Sequence, residues 1–355
     1  MPEVKTSGLS LRRKEAYKGY TLFAPLGGKE VYLIDMNGQP VHTWQMPLEV
    51  GSYGELLPNG NLLCAARTPA APLGDLDGAN GSILELDWDS KVVWKYVDLY
   101  LHHAFSRLPN GNTLVLRWVE TPNEILQKVK GGLPNTEKDG VMWGDAIQEI
   151  NPAGKVIWQW KAYEHLNPEL DIICPLCFRN RWSEANMVSV TPEGNILVSF
   201  KRISKIIQVN KETGKIDWRF GEWPEFVHLH DFSMLDNGNL LIFEPGSHGI
   251  GYETSRSQIL EFDLETKEIV WQYNETNAVD FFSGSMGSCQ QLPNGNILIC
   301  EGDHGRIFEV DRSSEIVWEY VNPFYNNSPQ FGQNNMLSGA YRYGLDYEGL
   351  NKKEI

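Results

Sequence analysis

The sequence DLETKEIVW at residues 263–271, followed by LPNGNILI at 292–299, contains the two motifs that recur along this chain. The first motif is a polar turn followed by an apolar run that ends in tryptophan. It occurs six times, and its tryptophans are Trp44, Trp94, Trp158, Trp218, Trp271 and Trp318. They are roughly 50 to 60 residues apart, which is the size of one four-stranded propeller blade. The repeat therefore predicts a β-propeller.

The second motif places an Asn-Gly type of turn between two apolar runs, which is a strong hairpin signal. It reads LPNGNLL, LPNGNTLV, TPEGNILV, LDNGNLLI and LPNGNILI, starting at positions 57, 108, 191, 235 and 292. We predict that this turn joins strands A and B of each blade, that the other turn joins strands C and D, and that the tryptophan lies on strand D. There are six tryptophans but five such turns. Residues of about 20–46 therefore supply outer strands to a blade that the chain's tail, around 335–343, completes.

The predicted fold class is all-β, a six-bladed β-propeller closed by N- and C-terminal strands. We expect one domain over residues 1–355, with an N-terminal extension at 1–18. Two stretches, 121–145 and 162–182, are too long for hairpin loops and flank Trp158 in the third blade. Long insertions of this kind often cover a site. We therefore expect both insertions to lie over the axial face.

Composition excludes several classes of partner. The 355 residues are 41% hydrophobic, which is ample for a packed core, and the formal net charge is -15. A field of that sign disfavours nucleic acid and anionic membrane surfaces. No apolar run approaches the ~20 residues that span a bilayer. The N-terminal region has basic residues without a following apolar segment, so it does not resemble a signal peptide.

The five cysteines give a weaker indication. Cys64, Cys289 and Cys300 lie in apolar strand-like runs and are expected to be buried thiols. Cys174 and Cys177 form a lone CxxC pair without a second pair or a nearby histidine doublet, so the sequence only weakly indicates zinc or redox chemistry. Free thiols without a signal peptide predict a cytoplasmic location. A periplasmic protein that had lost its leader would show the same pattern.

Strand register predicts which polar residues meet. In a propeller, the residues that precede strand A and follow strand B share one face, near the central channel. The residues placed there before strand A are His102, His103, Glu184, Asn186, His228 and His230. Those placed there after strand B are Arg67, Arg117, Arg202, Glu244, Glu301 and His304, with His248 also near. Histidines grouped in this way can act as a nucleophile, a general base or a metal ligand.

With these residues in place, the chain resembles the bacterial arylsulfate sulfotransferases that work without the PAPS cofactor, a propeller family. The resemblance covers nearly the whole chain. Its most specific stretches are EANMVSVTPEGNILVSFKRISKIIQVNKETGKIDWRFG from position 184, HLHDFSMLDNGNLLIFEPG from 228 and GSCQQLPNGNILICEGDHGRIFEVD from 287.

The resemblance implies a transferase that acts on a small phenolic or aryl substrate and needs no cofactor. It implies that His230, followed by Asp231, is the nucleophile that takes the sulfuryl group. His103, or less closely His102, matches a second histidine of the family. Arg202 matches an arginine whose planar fork would bind sulfate oxygens. The remaining register residues, His102, Asn186, Arg117, Glu244, Glu301 and His304, are expected to bind substrate, and the resemblance also suggests a homodimer.

The chain departs from the family at Glu184, where an H-x-N pattern has histidine. A carboxylate cannot donate to a sulfate oxygen. This departure leaves open a second interpretation, a metal-dependent lyase or hydrolase with a divalent ion on His102, His103, His228, His230 and Glu184. A third interpretation is a non-catalytic propeller that binds a ligand on its axial face.

Overall fold

The computed structural model describes residues 6–249, 256–328, 332–351 and 353. Its main sheets are six small antiparallel sheets arranged in a ring, which confirms the predicted six-bladed β-propeller. The blades follow one another in sequence, and each has its earliest strand innermost, with the exception of blade 1.

The strands are distributed among the blades as follows. β1 (Gly8–Arg12) precedes the blades. Blade 1 contains β2 (Gly19–Pro25), β3 (Glu30–Ile34) and β4 (Pro40–Gln45). Blade 2 contains β5 (Val50–Leu56), β6 (Leu62–Arg67), β7 (Gly81–Leu86) and β8 (Val92–Val97). Blade 3 contains β9 (Leu101–Arg107) and β10 (Thr113–Glu120), then, after α1 (Asn123–Leu126) and β11 (Gly131–Leu133), β12 (Trp143–Ile150) and β13 (Val156–Lys161).

A short strand, β14 (Ile173–Phe178), separates blade 3 from blade 4. Blade 4 contains β15 (Ala185–Val190), β16 (Ile196–Phe200), β17 (Lys205–Val209) and β18 (Ile216–Phe220). Blade 5 contains β19 (Phe232–Met234), β20 (Leu240–Glu244), β21 (Gln258–Phe262) and β22 (Ile269–Tyr273). Blade 6 contains β23 (Gly287–Gln291), β24 (Ile297–Glu301), β25 (Arg306–Val310) and β26 (Ile316–Val321). The chain ends with a hairpin of β27 (Asn326–Ser328) and β28 (Gly332–Asn334), and then β29 (Leu337–Gly344).

Both chain ends close the ring. β29 is the innermost strand of blade 1 and pairs with β2 from Gly19↔Gly344 to Pro25↔Leu337. β1 adds a fifth strand to the outer edge of blade 6, where Gly8 pairs with Val321. The predicted closure is thus confirmed, and it pairs sheet edges that would otherwise be exposed.

The strand D tryptophans lie between neighbouring blades. Trp44 and Trp318 are fully buried, and the other four are half-buried. In five of the six, the indole N–H donates to a backbone carbonyl in the C–D turn of the next blade. These pairs are Trp44–Asp87, Trp94–Pro152, Trp158–Lys211, Trp271–Arg312 and Trp318–Met36. The repeat therefore carries a polar contact between blades in addition to apolar packing.

The two insertions pack against each other beside blade 3. β11 in the first insertion pairs in parallel with β14 in the second, with Gly131 opposite Ile173. The second insertion is anchored by Trp182, which is fully buried and donates to the carbonyl of Asp171 at 2.8 Å. Arg219 of blade 4 donates to the buried Asp171 carboxylate at 2.6 Å. The insertions therefore form an ordered block with its own contacts to blade 4.

Candidate active site at the propeller axis

The innermost strands of the six blades meet around a cavity of about 200 Å³, which we call the axial cavity. Every blade contributes to it at or near its innermost strand. From blade 1 to blade 6, lining residues include Ser338 and Tyr341, Tyr53, His103, Asn186 and Met187, His230 and Asp231, and Gly287. Side chains far apart in sequence thus share one cavity. The residues that line it in the described chain come from outside both insertions.

His103 reaches the cavity through a turn in the backbone of β9. Its φ is +46°, and its ring lies against Gly78, where a Cβ would come within 2.3 Å of the imidazole. His103 Nδ1 is 2.9 Å from Nδ1 of His102, whose Nε2 is 3.3 Å from Oδ1 of Asp145. This Nε2–Oδ1 contact lacks hydrogen-bond geometry, but the carboxylate charge favours a proton on the facing Nε2. With the proton there, Nδ1 of His102 accepts a hydrogen bond from Nδ1–H of His103. The other nitrogen of His103, Nε2, is then unprotonated.

Two neighbouring side chains stabilise the arrangement of His102 and Asp145. The His102 ring stacks on Trp118 with centroids 3.7 Å apart, and Ser183 donates to the second oxygen of Asp145. Burial, together with the neighbouring His102, lowers the pKa of His103 well below its usual range. His103 is therefore a neutral imidazole with a free lone pair on Nε2.

His230 lies two residues before the start of β19, and its Nδ1 is likewise held by an acceptor. Its Nδ1 is 3.0 Å from the carbonyl oxygen of Gly287, so Nδ1–H donates and Nε2 is left without a proton. Burial, followed by the charge of Lys201, lowers the pKa of His230 to about 3. Its backbone is fixed on both sides, because its N–H donates to the Phe243 carbonyl at 3.1 Å and its carbonyl accepts from Ser199 Oγ at 2.6 Å.

Lys201 and Asn186 supply polar groups to the same cavity. Lys201 Nζ donates to the carbonyl of Ser285 at 3.3 Å and is 3.7 Å from Glu184 Oε1. The Asn186 amide nitrogen donates to the backbone carbonyl of Glu184 at 3.2 Å, which fixes the orientation of the amide. Asn186 is only 5% exposed, and its Oδ1 has no hydrogen-bond partner among the described residues. That oxygen can accept a hydrogen bond from a ligand.

The remaining wall combines aromatic rings with a buried acid. Tyr53 stacks on Phe105 with centroids 4.8 Å apart and meets Tyr341 edge-on at 5.7 Å. Asp231 accepts a hydrogen bond from the backbone N–H of Cys289 at 2.9 Å. Burial nevertheless raises the pKa of Asp231 to about 7. The cavity therefore has an aromatic side and a side that carries imidazole, ammonium and amide groups.

Glu184 and Arg202 form a buried ion pair beside the cavity instead of facing into it. Glu184 Oε2 is 2.5 Å from Arg202 Nε and 3.3 Å from Arg181 Nε. Burial alone would raise the pKa of Glu184, but the charges of Arg181, Arg202 and Lys201 hold it well below its usual range. Arg202 also donates to the carbonyl of Phe178. Its guanidinium is thus committed to protein acceptors, and Lys201, the residue before it, lines the cavity in its place.

The other residues chosen by register lie apart from the cavity lining, except Arg67, which belongs to it. Each has its own protein partners: Arg117 with Asp98 at 2.7 Å, Glu244 with the backbone N–H of Val227 at 2.7 Å, Glu301 with Arg306 at 2.9 Å, and His304 with Glu301 at 3.1 Å. Equivalent positions in different blades therefore do not all converge on the axis.

A second group of reactive side chains lies where the second insertion meets blade 5. We call it the Cys/His cluster: Cys174, Cys177, His228 and His248, whose ligand atoms all lie within 4.8 Å of one another. Cys177 Sγ is 3.3 Å from His228 Nε2 and 3.5 Å from His248 Nδ1, and Cys174 Sγ is 3.6 Å from His248 Nδ1. The CxxC pair is thus isolated in sequence but not in space.

The five residues of the alternative metal hypothesis are not brought together. Across residues 6–249, 256–328, 332–351 and 353, the group of three or more side chains with metal-ligand geometry is the Cys/His cluster, and only His228 of the five belongs to it. His102 faces Asp145, and Glu184 faces guanidinium groups. Sequence reasoning missed the cluster because Cys174 and His248 are 74 positions apart. The sequence did contain a signal for this cluster. A CxxC pair lies inside an insertion, and the chain has more histidines than line the cavity.

The fold and this site define a propeller with a histidine-containing axial cavity. The chain belongs to the arylsulfotransferase (ASST) family, whose model matches residues 55–323. No curated protein matches the sequence.

Two solved structures share the fold. A protein of unknown function from Bacteroides caccae has a TM-score of 0.58 and 16% identity, with 92% of this chain and 98% of that chain covered. A streptogramin B lyase has a TM-score of 0.52 and 10% identity, with 97% and 95% covered. At such identities the likeness concerns the fold alone. Within the described residues, no helix is long and apolar enough to cross a membrane.

Proposed function

We propose that this protein transfers a sulfuryl group from an aryl sulfate to a phenol, with His230 as the nucleophile. The observation that carries the proposal is the pairing of His230 and His103 in one cavity. Each has Nδ1 held by a neighbouring acceptor, which leaves Nε2 available, and Lys201 lies in the same lining. A nucleophile, a base and a cation are the groups that sulfuryl transfer requires.

In the first step, the lone pair of His230 Nε2 attacks sulfur. The N–S bond forms as the S–O bond to the aryl group breaks, and the phenolate leaves with that electron pair. The proton stays on Nδ1, which still donates to the Gly287 carbonyl, so the modified imidazole keeps its orientation. Lys201 stabilises negative charge on the sulfuryl oxygens, the role that the family resemblance gave to Arg202.

In the second step, an acceptor phenol occupies the site of the departed phenolate. His103 Nε2 takes the phenol proton, the phenolate oxygen attacks sulfur, and the N–S electron pair returns to His230. Asp145 and His102 fix the orientation of His103 and compensate the charge that it gains. The proton then passes to solvent.

The carboxylate at position 184 is compatible with an anionic substrate. Its charge is compensated by Arg181, Arg202 and Lys201 within 3.7 Å, and it does not belong to the cavity lining. Asn186, the last residue of the E-x-N triplet, faces the substrate space instead. The aromatic side formed by Tyr53 and Tyr341 suits a small aryl group.

The test is exchange between 4-nitrophenyl sulfate and added phenol. We expect nitrophenolate release with ping-pong kinetics, and a loss of at least about 10³-fold in kcat/KM for His230→Ala. His42→Ala is the control, because His42 stacks on Trp88 in the outer part of the ring and should leave the rate unchanged. Absence of phenol-dependent release, or release unaffected by His230→Ala, refutes the proposal. Aryl sulfate binding that also persists without His103 and His230 would favour the non-catalytic interpretation.

A further inference from the structure

The Cys/His cluster is a separate site that the transfer chemistry does not use. It joins three parts of the chain: β14 in the second insertion, the segment before β19, and the connection after β20. Cys174, Cys177 and His228 are buried, and His248 is exposed. We propose that these four side chains bind a Zn²⁺ ion that fastens the second insertion to blade 5.

The distances between ligand atoms match those around tetrahedral zinc. With Zn–S near 2.3 Å and Zn–N near 2.0–2.1 Å, a tetrahedral angle separates sulfur and nitrogen by about 3.6 Å. The three sulfur–nitrogen separations measured here are 3.3, 3.5 and 3.6 Å. These three separations fit a tetrahedral zinc site, and all four ligand atoms lie within 4.8 Å of one another. Two thiols and two imidazoles are also the soft and borderline ligands that select zinc over magnesium or calcium.

The surroundings prepare His228 as a ligand. Its Nδ1 is 3.0 Å from Ser247 Oγ, which can accept a hydrogen bond from Nδ1–H. In that tautomer Nε2, which is 3.3 Å from Cys177 Sγ, carries the lone pair for the metal. Both thiols are free, and no disulfide competes for them in the described structure. When Zn²⁺ binds, two thiol protons leave, and the two thiolates balance the charge of the ion. A neutral centre suits a site with three buried ligands.

The ion would be structural, because four protein ligands fill a tetrahedral shell and leave no open position for water or substrate. Its position gives it a second effect. His228 is two residues before His230, and the backbone N–H of Cys174 donates to the carbonyl of Arg202 at 2.7 Å. Zinc would thus hold the insertion against the segment that carries the cavity nucleophile and against the strand end that carries Lys201.

The first test uses the wild-type chain and needs no activity. We expect elemental analysis of protein produced with zinc supplementation to give about one zinc per chain. Titration with a mercurial thiol reagent should release that zinc to a colorimetric chelator in step with modification of two thiols. Co²⁺ added to the metal-free protein should give tetrahedral d–d bands and thiolate charge-transfer absorption. Folded protein that takes up neither zinc nor cobalt overturns the proposal, as does a Cys174–Cys177 disulfide in the purified chain.

The second test uses matched variants. Cys174→Ala/Cys177→Ala and His248→Ala should reduce the zinc content at least tenfold. Cys300→Ala and His165→Ala are the controls, because they remove a buried thiol and an imidazole outside the cluster. Zinc content that is unchanged in the double cysteine variant overturns the proposal. If that variant does not fold, His248→Ala decides the outcome, since His248 is exposed and its loss costs little packing.

Discussion

Blades 4 and 5 place polar pairs at equivalent positions, Glu184 and Asn186 in one and His228 and His230 in the other. In both blades the second residue lines the axial cavity. In both blades the first residue has left-handed backbone, with φ of +56° for Glu184 and +59° for His228. In both blades the first residue lies outside the cavity lining and contacts the second insertion. The two contacts differ in chemistry, because Glu184 meets the guanidinium of Arg181 and His228 meets the thiol of Cys177.

This comparison explains how one insertion can be fixed at two points without entering the cavity. Blade 4 holds it with a buried ionic contact, and blade 5 holds it through the Cys/His cluster. The residues that contact substrate in our proposal are thus two positions along the same two segments from residues that hold the insertion. Mutations can separate the two functions because the side chains point to different places.

The largest expected effect is on stability, in Glu184→Ala. Removal of this carboxylate leaves the buried Arg202 guanidinium without a carboxylate partner, and Arg181 keeps only its contact with Asp77. Loss of one partner of a buried ion pair costs about 3–5 kcal/mol. We expect urea unfolding to show a loss of that size. Asp75→Ala, which breaks an exposed pair with Lys138, should leave the midpoint almost unchanged, and equal effects in the two variants would contradict a buried ionic anchor.

The second prediction concerns how stability depends on pH. Asp231 of blade 5 can titrate, whereas Met187, its counterpart in blade 4, cannot. Burial raises the folded-state pKa of Asp231 to about 7, whereas the unfolded chain has a value near 4. Between those values the folded protein binds a proton that the unfolded chain has released, so stability is full below about pH 4 and falls as the pH rises to about 7. The contribution is at most about 1.4 kcal/mol per pH unit.

Asp231→Asn removes this titration. We expect the variant to lose less stability than the wild type between pH 4 and pH 7, as measured by urea unfolding at each pH. The comparison must be of slopes, because burial also raises the pKa of Glu244 to about 7. Parallel slopes for the two proteins would show that Asp231 is already ionised in the folded state.

The third prediction concerns which cationic side chain stabilises the charge of the substrate. Lys201 lines the cavity, whereas Arg202 is occupied by Glu184 and by carbonyl oxygens. Removal of a group that stabilises transition-state charge typically costs about 10²–10³-fold in kcat. We expect Lys201→Ala to lose about 10²-fold in kcat/KM for the aryl sulfate, with partial recovery in Lys201→Arg. Lys205→Ala, which removes a donor to the Gly221 carbonyl, is the matched control. An unchanged rate in Lys201→Ala would return the role to Arg202.

The sequence predicted the ring and its closure, because these follow from repeat period and turn chemistry, but only a minority of the cavity lining. Register placed His103, Asn186 and His230 at the axis correctly. It failed for Glu184 and His228 because a two-residue spacing keeps side chains on one face only within extended backbone. β15 begins after Glu184 and β19 begins after His230, and a positive φ outside the strand is not readable from residue type alone. The Cys/His cluster depends on how an insertion folds back, which no repeat specifies.

The smallest effect should come from Asn186→Ala, and it tests whether the second residue of each pair acts on substrate. The Asn186 amide nitrogen is bonded to the Glu184 carbonyl, but Oδ1 is buried without a partner among the described residues. Alanine loses one hydrogen bond worth about 1 kcal/mol and also removes an unsatisfied buried acceptor of similar cost, so stability should change little. Activity should fall about tenfold if Oδ1 accepts a hydrogen bond from the reacting phenol. A variant that is destabilised with an unchanged kcat/KM would mean that Asn186, like Glu184, has a structural role and does not contact substrate. In that case the two blades would differ in the second residue as well as in the first.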